Sequence, residues 1–344
     1  MYGLDALVAR ATPPYNVLGS TLFLSYIVLA LYFTTSILLS LYRQYIAIFF
    51  SANAAKDDKK TEAIKSVRAR HINIYAFLSS ISFATLSYHM LGFLIASYTN
   101  WAGPQGLWET DMTIESLKSW MLETSLFESF AKELVRDGPS TAWTQAAIVG
   151  TWFWNIWMAG KASERRFDRK MMFPYIMLGQ ILPVSLTVSL FVIQLHLSSS
   201  DLQSSAAPAS EKQADTANTN GPNRPKKTYK KTSLTLPTIL LNASLIALPR
   251  LRNHLVFIPL VLMTRVILLL PHSGRVSLRG ADVMQSISIS GGFVVANLVI
   301  TRKAAGWRDV ARGLWTGGQA VKALGWDGNL GAVVYVVLGW GGGV

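Results

Sequence analysis

The chain has 344 residues, of which 51% are hydrophobic and only 15% are charged, and its mean hydropathy is +0.31. Soluble domains carry about 25% charged residues, so this composition favours an integral membrane protein. The net charge of +13 does not indicate nucleic-acid binding, because the basic residues cluster at the edges of apolar segments, where they anchor and orient membrane helices. The absence of cysteine excludes a disulfide framework, a thiolate nucleophile and a cysteine-based metal site.

Long apolar segments follow one another along the chain. Residues 17–42 and 172–197 contain no Asp, Glu, Lys or Arg, and about 20 such residues cross the hydrocarbon of a bilayer. We therefore expect an all-α polytopic bundle of about seven or eight transmembrane helices, the first of which is a retained helix and not a cleaved signal. The candidate spans are 17–42, 72–98, 141–160, 172–197, 235–249, 254–271, 284–301 and 329–340.

Loop charge predicts the orientation of these spans. The loop 43–71 has seven basic residues and the loop 161–170 has five, whereas the loop 99–140 has three basic and seven acidic residues. The region 302–326, after the seventh span, has five basic residues and one acidic residue. Because basic loops stay in the cytoplasm, the N-terminus and the acidic loop are expected on the lumenal side of a multi-pass protein of the endoplasmic reticulum. Strict alternation also places the lysines of 226–231 in the lumen, which runs against the same rule.

A polar segment divides the chain. Residues 198–233 are rich in Ser, Ala, Pro and Lys and show no periodicity, so they are expected to form a disordered linker. The linker separates an N-terminal membrane half, 1–197, with four spans, from a C-terminal membrane half, 234–344.

The acidic loop contains one amphipathic segment, 113–136, with the sequence "TIESLKSWMLETSLFESFAKELVR". On a single helical wheel Trp120 and Phe127 lie on a broad apolar arc, and Glu128 falls inside that arc. We expect a lumenal helix that lies on the membrane or caps the bundle. A carboxyl group in apolar surroundings can serve as a general acid, so Glu128 is a candidate acid; the alternative is a salt bridge to a neighbouring lysine.

Several polar and aromatic residues interrupt the spans. His89, Asn155 and Gln180 are each either a helix–helix hydrogen bond or a functional group. Arg265, near the end of the sixth span, is expected to extend its charge toward the membrane surface. Trp154 belongs to a tryptophan-rich stretch that forms either an aromatic wall able to stabilise a carbocation or lipid-facing bulk.

Three segments resemble one known family. They are the helix "SWMLETSLFESFAKEL", the basic run followed by "YIMLGQ", and the C-terminal "ALGWDGNLGAVVYVVLGW". They resemble the fungal integral-membrane terpene cyclases of meroterpenoid clusters, of the macrophorin, ascochlorin and ascofuranone type. The likeness is strongest over 110–197. That family has an acidic–glycine pair ahead of the basic run, where this chain has Lys161–Ala162, with Glu164 three residues further on.

The resemblance implies a membrane-bound cyclase of fungal secondary metabolism. Such enzymes protonate an epoxide or olefin of a prenylated aromatic or polyketide substrate and cyclise its isoprenoid chain without a metal or other cofactor. No phosphate-binding or metal-binding motif in the sequence points elsewhere. The expected partners are the prenylated substrate, the lipid bilayer and pathway enzymes, with no nucleic acid. The candidate catalytic residues are Glu128, Glu164 and Asp111, and the candidate substrate-binding residues are Trp120, Phe127, Trp154, Asn155, Gln180 and His89.

Two other functions fit the sequence. A non-catalytic multi-pass scaffold or transporter is favoured by the lack of any motif that identifies an enzyme by itself. A different lipid-modifying membrane enzyme would share the location but would need a nucleophile or a metal site. An enclosed, aromatic-lined pocket that holds Glu128 and Gln180 would favour the cyclase, and a path through the bundle or repeat symmetry would favour a transporter.

Overall fold

The computed structural model describes residues 13–50, 59–106, 113–181, 183–199 and 231–340. These residues form α-helices and two short 3₁₀ helices, Gly103–Gln105 and Leu270–Ser273, and no β-strand occurs among them, which confirms the predicted all-α class. The α-helices of the described segments are α1 Val17–Phe49, α2 Lys59–Ala102, α3 Ile114–Glu123, α4 Leu126–Leu134, α5 Gly138–Glu164, α6 Arg169–Ile181, α7 Val184–Leu197, α8 Thr235–Arg250, α9 Phe257–Leu269, α10 Gly280–Thr316 and α11 Gln319–Gly339.

Four of these helices, α1, α2, α10 and α11, are long and apolar enough to cross a membrane. Two further apolar segments, α7 and Phe257–Ser273, are shorter. The last helix begins at Gln319 and not at residue 329, so it includes Asp327, which the predicted span left out. Helix α10 changes direction at Gly306, whose φ of 80° lies in a region that side-chain-bearing residues rarely adopt.

The fourth predicted span, 172–197, is wrong as a single helix. It is divided into α6 and α7 at Pro183, which precedes the first residue of α7. Proline lacks the N–H group that would continue a helix and disfavours helical backbone in the residue before it. The chain therefore turns at this point.

Helices α6 and α7 form an antiparallel hairpin. The rings of Tyr175 and Phe191 lie 5.7 Å apart, and Gly179, one turn closer to the break, packs on Thr187, one turn after it. Every residue of α7 is buried, as expected of a helix that is hydrophobic on all sides. The tip of the hairpin thus lies inside the bundle.

The predicted amphipathic helix 113–136 is also two helices, α3 and α4. Thr113 caps α3 by accepting a hydrogen bond from the Ser116 N–H at 3.1 Å. The helix ends at Thr124, whose backbone is extended (φ −112°, ψ 151°) and whose hydroxyl donates to the Trp120 carbonyl. A single helical wheel does not apply across this break, so the arc that enclosed Glu128 is not continuous.

The C-terminal half packs directly on the N-terminal half. Helix α11 contacts α2, α5 and α7, and α10 lies along α5. Helices α8 and α10 run parallel and share hydrogen bonds between Thr238 and Ser286 and between Asn242 and Ser290. Of the predicted linker, residues 200–230 lie outside the described residues, and its last residues are held by a backbone bridge between Thr232 and Val276.

Candidate functional site

An apolar cavity of about 430 Å³ lies between the hairpin tip and α4, with walls from α1, α2, α9 and α11. Its volume falls within the roughly 300–1,000 Å³ typical of small-molecule pockets. Aromatic rings contribute much of its wall, and they belong to Phe23, Tyr26, Phe83, Phe93, Phe127, Phe130 and Phe257.

Asp327 brings a carboxylate to the base of this cavity. Its side chain, on α11, is only 5% exposed. The Val184 N–H donates to its Oδ2 at 3.0 Å, and the Ser185 N–H donates to its Oδ1 at 2.9 Å. These are N–H groups of the first turn of α7, which have no partner within their own helix and carry its positive dipole end. Asp327 therefore caps α7 from a different helix.

Arg265 contacts the end of α6, on the other side of the α6–α7 break. Its Nη1 donates to the Gln180 carbonyl at 3.1 Å, near the end of α6, where carbonyl groups lack partners within the helix. Its side chain is partly accessible and lines the cavity with Asp327. A guanidinium group has five N–H donors, so this one bond leaves donors for a ligand. The hairpin break thus places a carboxyl group and a guanidinium group beside a largely apolar space.

The acids predicted from the sequence lie elsewhere. Glu128 is 40% exposed and pairs with Lys132 at 2.6 Å, which is the salt-bridge alternative and not the predicted apolar environment. Glu164 is 65% exposed and pairs with Lys161 at 3.0 Å. Neither residue lines the cavity. Asp111 lies outside the described residues.

Of the predicted substrate-binding residues, Phe127 lines the cavity. His89 and Trp120 instead make hydrogen bonds between helices. The His89 Nδ1 lies 2.8 Å from the Gln319 Oε1, and the Trp120 Nε1–H donates to the Ser97 hydroxyl at 3.3 Å.

Trp154 and Asn155 also contact neighbouring helices and do not line the cavity. The Trp154 Nε1 lies 3.0 Å from the position that a Cβ would take on Gly331, so a side chain there would require Trp154 to shift. The Asn155 Oδ1 lies 3.0 Å from the His272 Nε2. These contacts favour a structural role for both residues.

Gln180 is a special case among the predicted residues. Its side chain is buried, and neither its amide nitrogen nor its amide oxygen has a hydrogen-bond partner among the described residues. Its neighbours Gly179 and Ile181 line the cavity. A buried amide without partners costs about 1–3 kcal/mol.

A second carboxylate holds the start of α11. The Ala320 N–H donates to the Glu133 Oε1 at 3.1 Å. Burial raises the pKa of Glu133, and the Ala320 N–H together with the charges of Arg136 and Lys322 opposes that rise. These two caps link three helices. Glu133 of α4 caps the start of α11, and Asp327 of α11 caps the start of α7.

Sequence reasoning missed Asp327 and read Arg265 as a surface anchor. The available signal for Asp327 was a single acid within the apolar, glycine-rich run "ALGWDGNLGAVV", two residues before the predicted last span. The site combines a carboxylate, a guanidinium group and an apolar aromatic wall, which is suited to moving a proton to or from an uncharged ligand. No family model, curated protein or solved structure matches this chain.

Proposed function

We propose that the protein is a membrane-bound terpene cyclase that folds the isoprenoid chain of a prenylated aromatic or polyketide substrate inside this cavity. The observation that carries the proposal is the pair Asp327 and Arg265 in the wall of an otherwise uncharged, aromatic-lined space. The sequence resemblance to fungal meroterpenoid cyclases points to the same chemistry. Asp327 replaces Glu128 as the proposed acid.

The chemistry assigned to Asp327 is proton transfer. Its carboxyl group gives a proton to an epoxide oxygen or to an olefin carbon, and the C–O or π bond breaks to leave a tertiary carbocation. A carboxyl group has about four acceptor positions, so its two backbone N–H bonds leave room for a proton and for the substrate. Successive double bonds attack the cation, and a final C–H bond breaks to return its proton to the Asp327 carboxylate, which restores the acid.

The remaining lining supports this reaction in two ways. Aromatic faces such as those of Phe127 and Phe130 attract positive charge within about 6 Å of the ring, so they stabilise the migrating cation. Arg265 binds the substrate oxygen with its remaining donors. The apolar walls exclude water, which would otherwise capture the cation early.

In this proposal the chain crosses the membrane of the endoplasmic reticulum seven times, and the α6–α7 hairpin enters and leaves on the cytoplasmic side. Support comes from the C-terminal end of α7, where the His196 Nδ1 lies 2.9 Å from the Arg68 Nη1 and Gln194 bonds Gln44 at 2.8 Å. Both partners lie within the basic segment 43–71. The lysines of 226–231 then follow the positive-inside rule, the basic residues of 302–326 do not, and α3 and α4 lie on the lumenal side.

A transporter is the second candidate. A broken helix whose ends meet charged residues inside the bundle is a recurrent feature of transporter binding sites. The α6–α7 break, with Asp327 and Arg265 beside it, has this feature. A transporter would bind the hydrophobic ligand and release it unchanged.

The test is product analysis with microsomes that contain the protein and a farnesylated phenol or its terminal epoxide. Asp327→Asn should lower turnover per folded protein by about 10²–10⁴-fold, the usual contribution of a general acid. Folded protein is measured by size-exclusion chromatography in detergent, since the Asn side chain cannot accept from both the Val184 and the Ser185 N–H. Glu115→Gln, an exposed acid of α3, is the matched control.

Two outcomes contradict the proposal. If Asp327→Asn cyclises at the wild-type rate while Glu128→Gln does not, the acid predicted from the sequence is restored and the cavity assignment is wrong. If wild-type microsomes return every such substrate unchanged but take it up, the transporter is favoured.

A further inference from the structure

One side of the cavity is not closed by helix packing. Helices α1 and α2 both pack against α7, and α1 also packs on α6, but α1 and α2 make few contacts with each other. The hairpin tip lines the same cavity, and buried Leu126 of α4 packs with Phe23 of α1 and Phe93 of α2. What is left is a gap between the two helices at the level of the cavity.

The edges of this gap are exposed and also line the cavity. On α1 they are Ile27 and Leu31, and on α2 they are Phe83, Ser87 and Leu91. Leu31 and Leu91 are each 58% exposed. Residues four apart lie on one face of a helix, so each edge is a continuous stripe that passes from the outer surface into the cavity. Only one of the five side chains is polar.

We propose that the gap between α1 and α2 is a lateral portal through which the hydrocarbon chain of the ligand passes from the bilayer into the cavity. Both helices are long and apolar enough to cross a membrane, so the outer side of the gap faces lipid chains and not water. The occupant is an isoprenoid chain already dissolved in the membrane. This inference rests on the proposed function for the nature of that chain.

The chemistry of the path supports this occupant. An apolar chain that moves from lipid through Ile27 and Phe83 to Phe127 stays in apolar surroundings throughout. The charged side chains that line the cavity are those of Asp327 and Arg265. A charged or strongly polar ligand would have to cross the membrane interior to enter, at a cost of several kcal/mol. The portal therefore selects ligands by their solubility in lipid.

The test narrows the gap with one side chain. Ser87→Trp adds an indole to the edge of the portal, and Ser80→Trp is the matched control, because Ser80 is exposed, lies seven residues away on the same face of α2 and does not line the cavity. Purified protein in phosphatidylcholine vesicles is mixed with vesicles that contain farnesol carrying a photoreactive diazirine. Illumination at successive times, followed by mass spectrometry, measures cross-links to peptides of α4.

Ser87→Trp should slow the appearance of α4 cross-links severalfold relative to the wild type, and Ser80→Trp should not. If the two variants load at the same rate, the portal is overturned while the cavity remains a farnesyl site. If the wild type gives no α4 cross-links at all, the cavity does not hold an isoprenoid chain, and the proposed function fails with the portal.

A second pair of variants guards against misfolding. Leu31→Trp, on the opposite edge, is compared with Leu38→Trp, which is exposed on the same face of α1 outside the cavity. Slow loading of Leu31→Trp alone supports the portal even if Ser87→Trp does not fold. Conversion of a wild-type dimer to a monomer by either portal variant, measured by mass photometry, would show that a second copy covers the gap and would overturn the portal.

Discussion

The α6–α7 hairpin predicts that the two ends of the chain segment 165–231 lie on the same side of the membrane. The chain contains no cysteine, so single cysteines can be introduced without background. The informative variants are Ser163→Cys before α6, Lys231→Cys after the linker, and Ser129→Cys in α4, all at exposed positions. Sealed microsomes are treated with a membrane-impermeant maleimide before and after addition of detergent.

The antiparallel pairing of the hairpin legs gives the physical reason. Tyr175 of α6 packs on Phe191 of α7, and Gly179 packs on Thr187, so the two legs run back along each other. An antiparallel pair returns the chain to the side of the membrane from which it entered. Ser163→Cys and Lys231→Cys should both label without detergent, and Ser129→Cys only after detergent is added.

The opposite result is equally clear. If Lys231→Cys labels only together with Ser129→Cys, the segment 169–197 crosses the membrane once, as strict alternation of the eight apolar segments predicted. Ser163→Cys then serves as the internal reference, because its side of the membrane is the same in both topologies.

Two further predictions concern buried polar groups. Gln180→Met should raise the thermal unfolding midpoint in detergent, because it removes an amide whose lack of partners costs about 1–3 kcal/mol; a lower midpoint would show that the amide is satisfied in the folded protein. Burial raises the pKa of Glu133 above its ordinary value of 4.5. The contribution of this side chain to the free energy of unfolding is therefore fully present below pH 4.5 and is lost as the pH rises through the folded-state pKa. Glu133→Gln should therefore weaken the fall in unfolding midpoint from mildly acidic to neutral pH, and an unchanged pH profile would contradict this account.

Local sequence determined the helical class and most of the helix positions. Long uncharged segments can satisfy their backbone groups in lipid only as helices, so their presence predicts α1 and α2 without any knowledge of packing. The sequence also contained the signals for the two helix breaks that were not predicted. Pro183, inside the predicted span 172–197, cannot continue a helix, and Thr124, inside the predicted helix 113–136, bonds its hydroxyl to the preceding turn.

Tertiary structure decided which polar residues meet. The periodicity of α11 marks Asp327 as one acid among small and apolar residues, but only the position of α7 places two free backbone N–H groups at its carboxylate. The wheel that favoured Glu128 assumed one continuous helix, but the helix is broken at Thr124, and within α4 Glu128 pairs with Lys132 one turn further on. Periodicity along one helix reports which side chains share a face. The partner of that face is set by the turns between helices, where a shift of one residue rotates the next helix by about 100°.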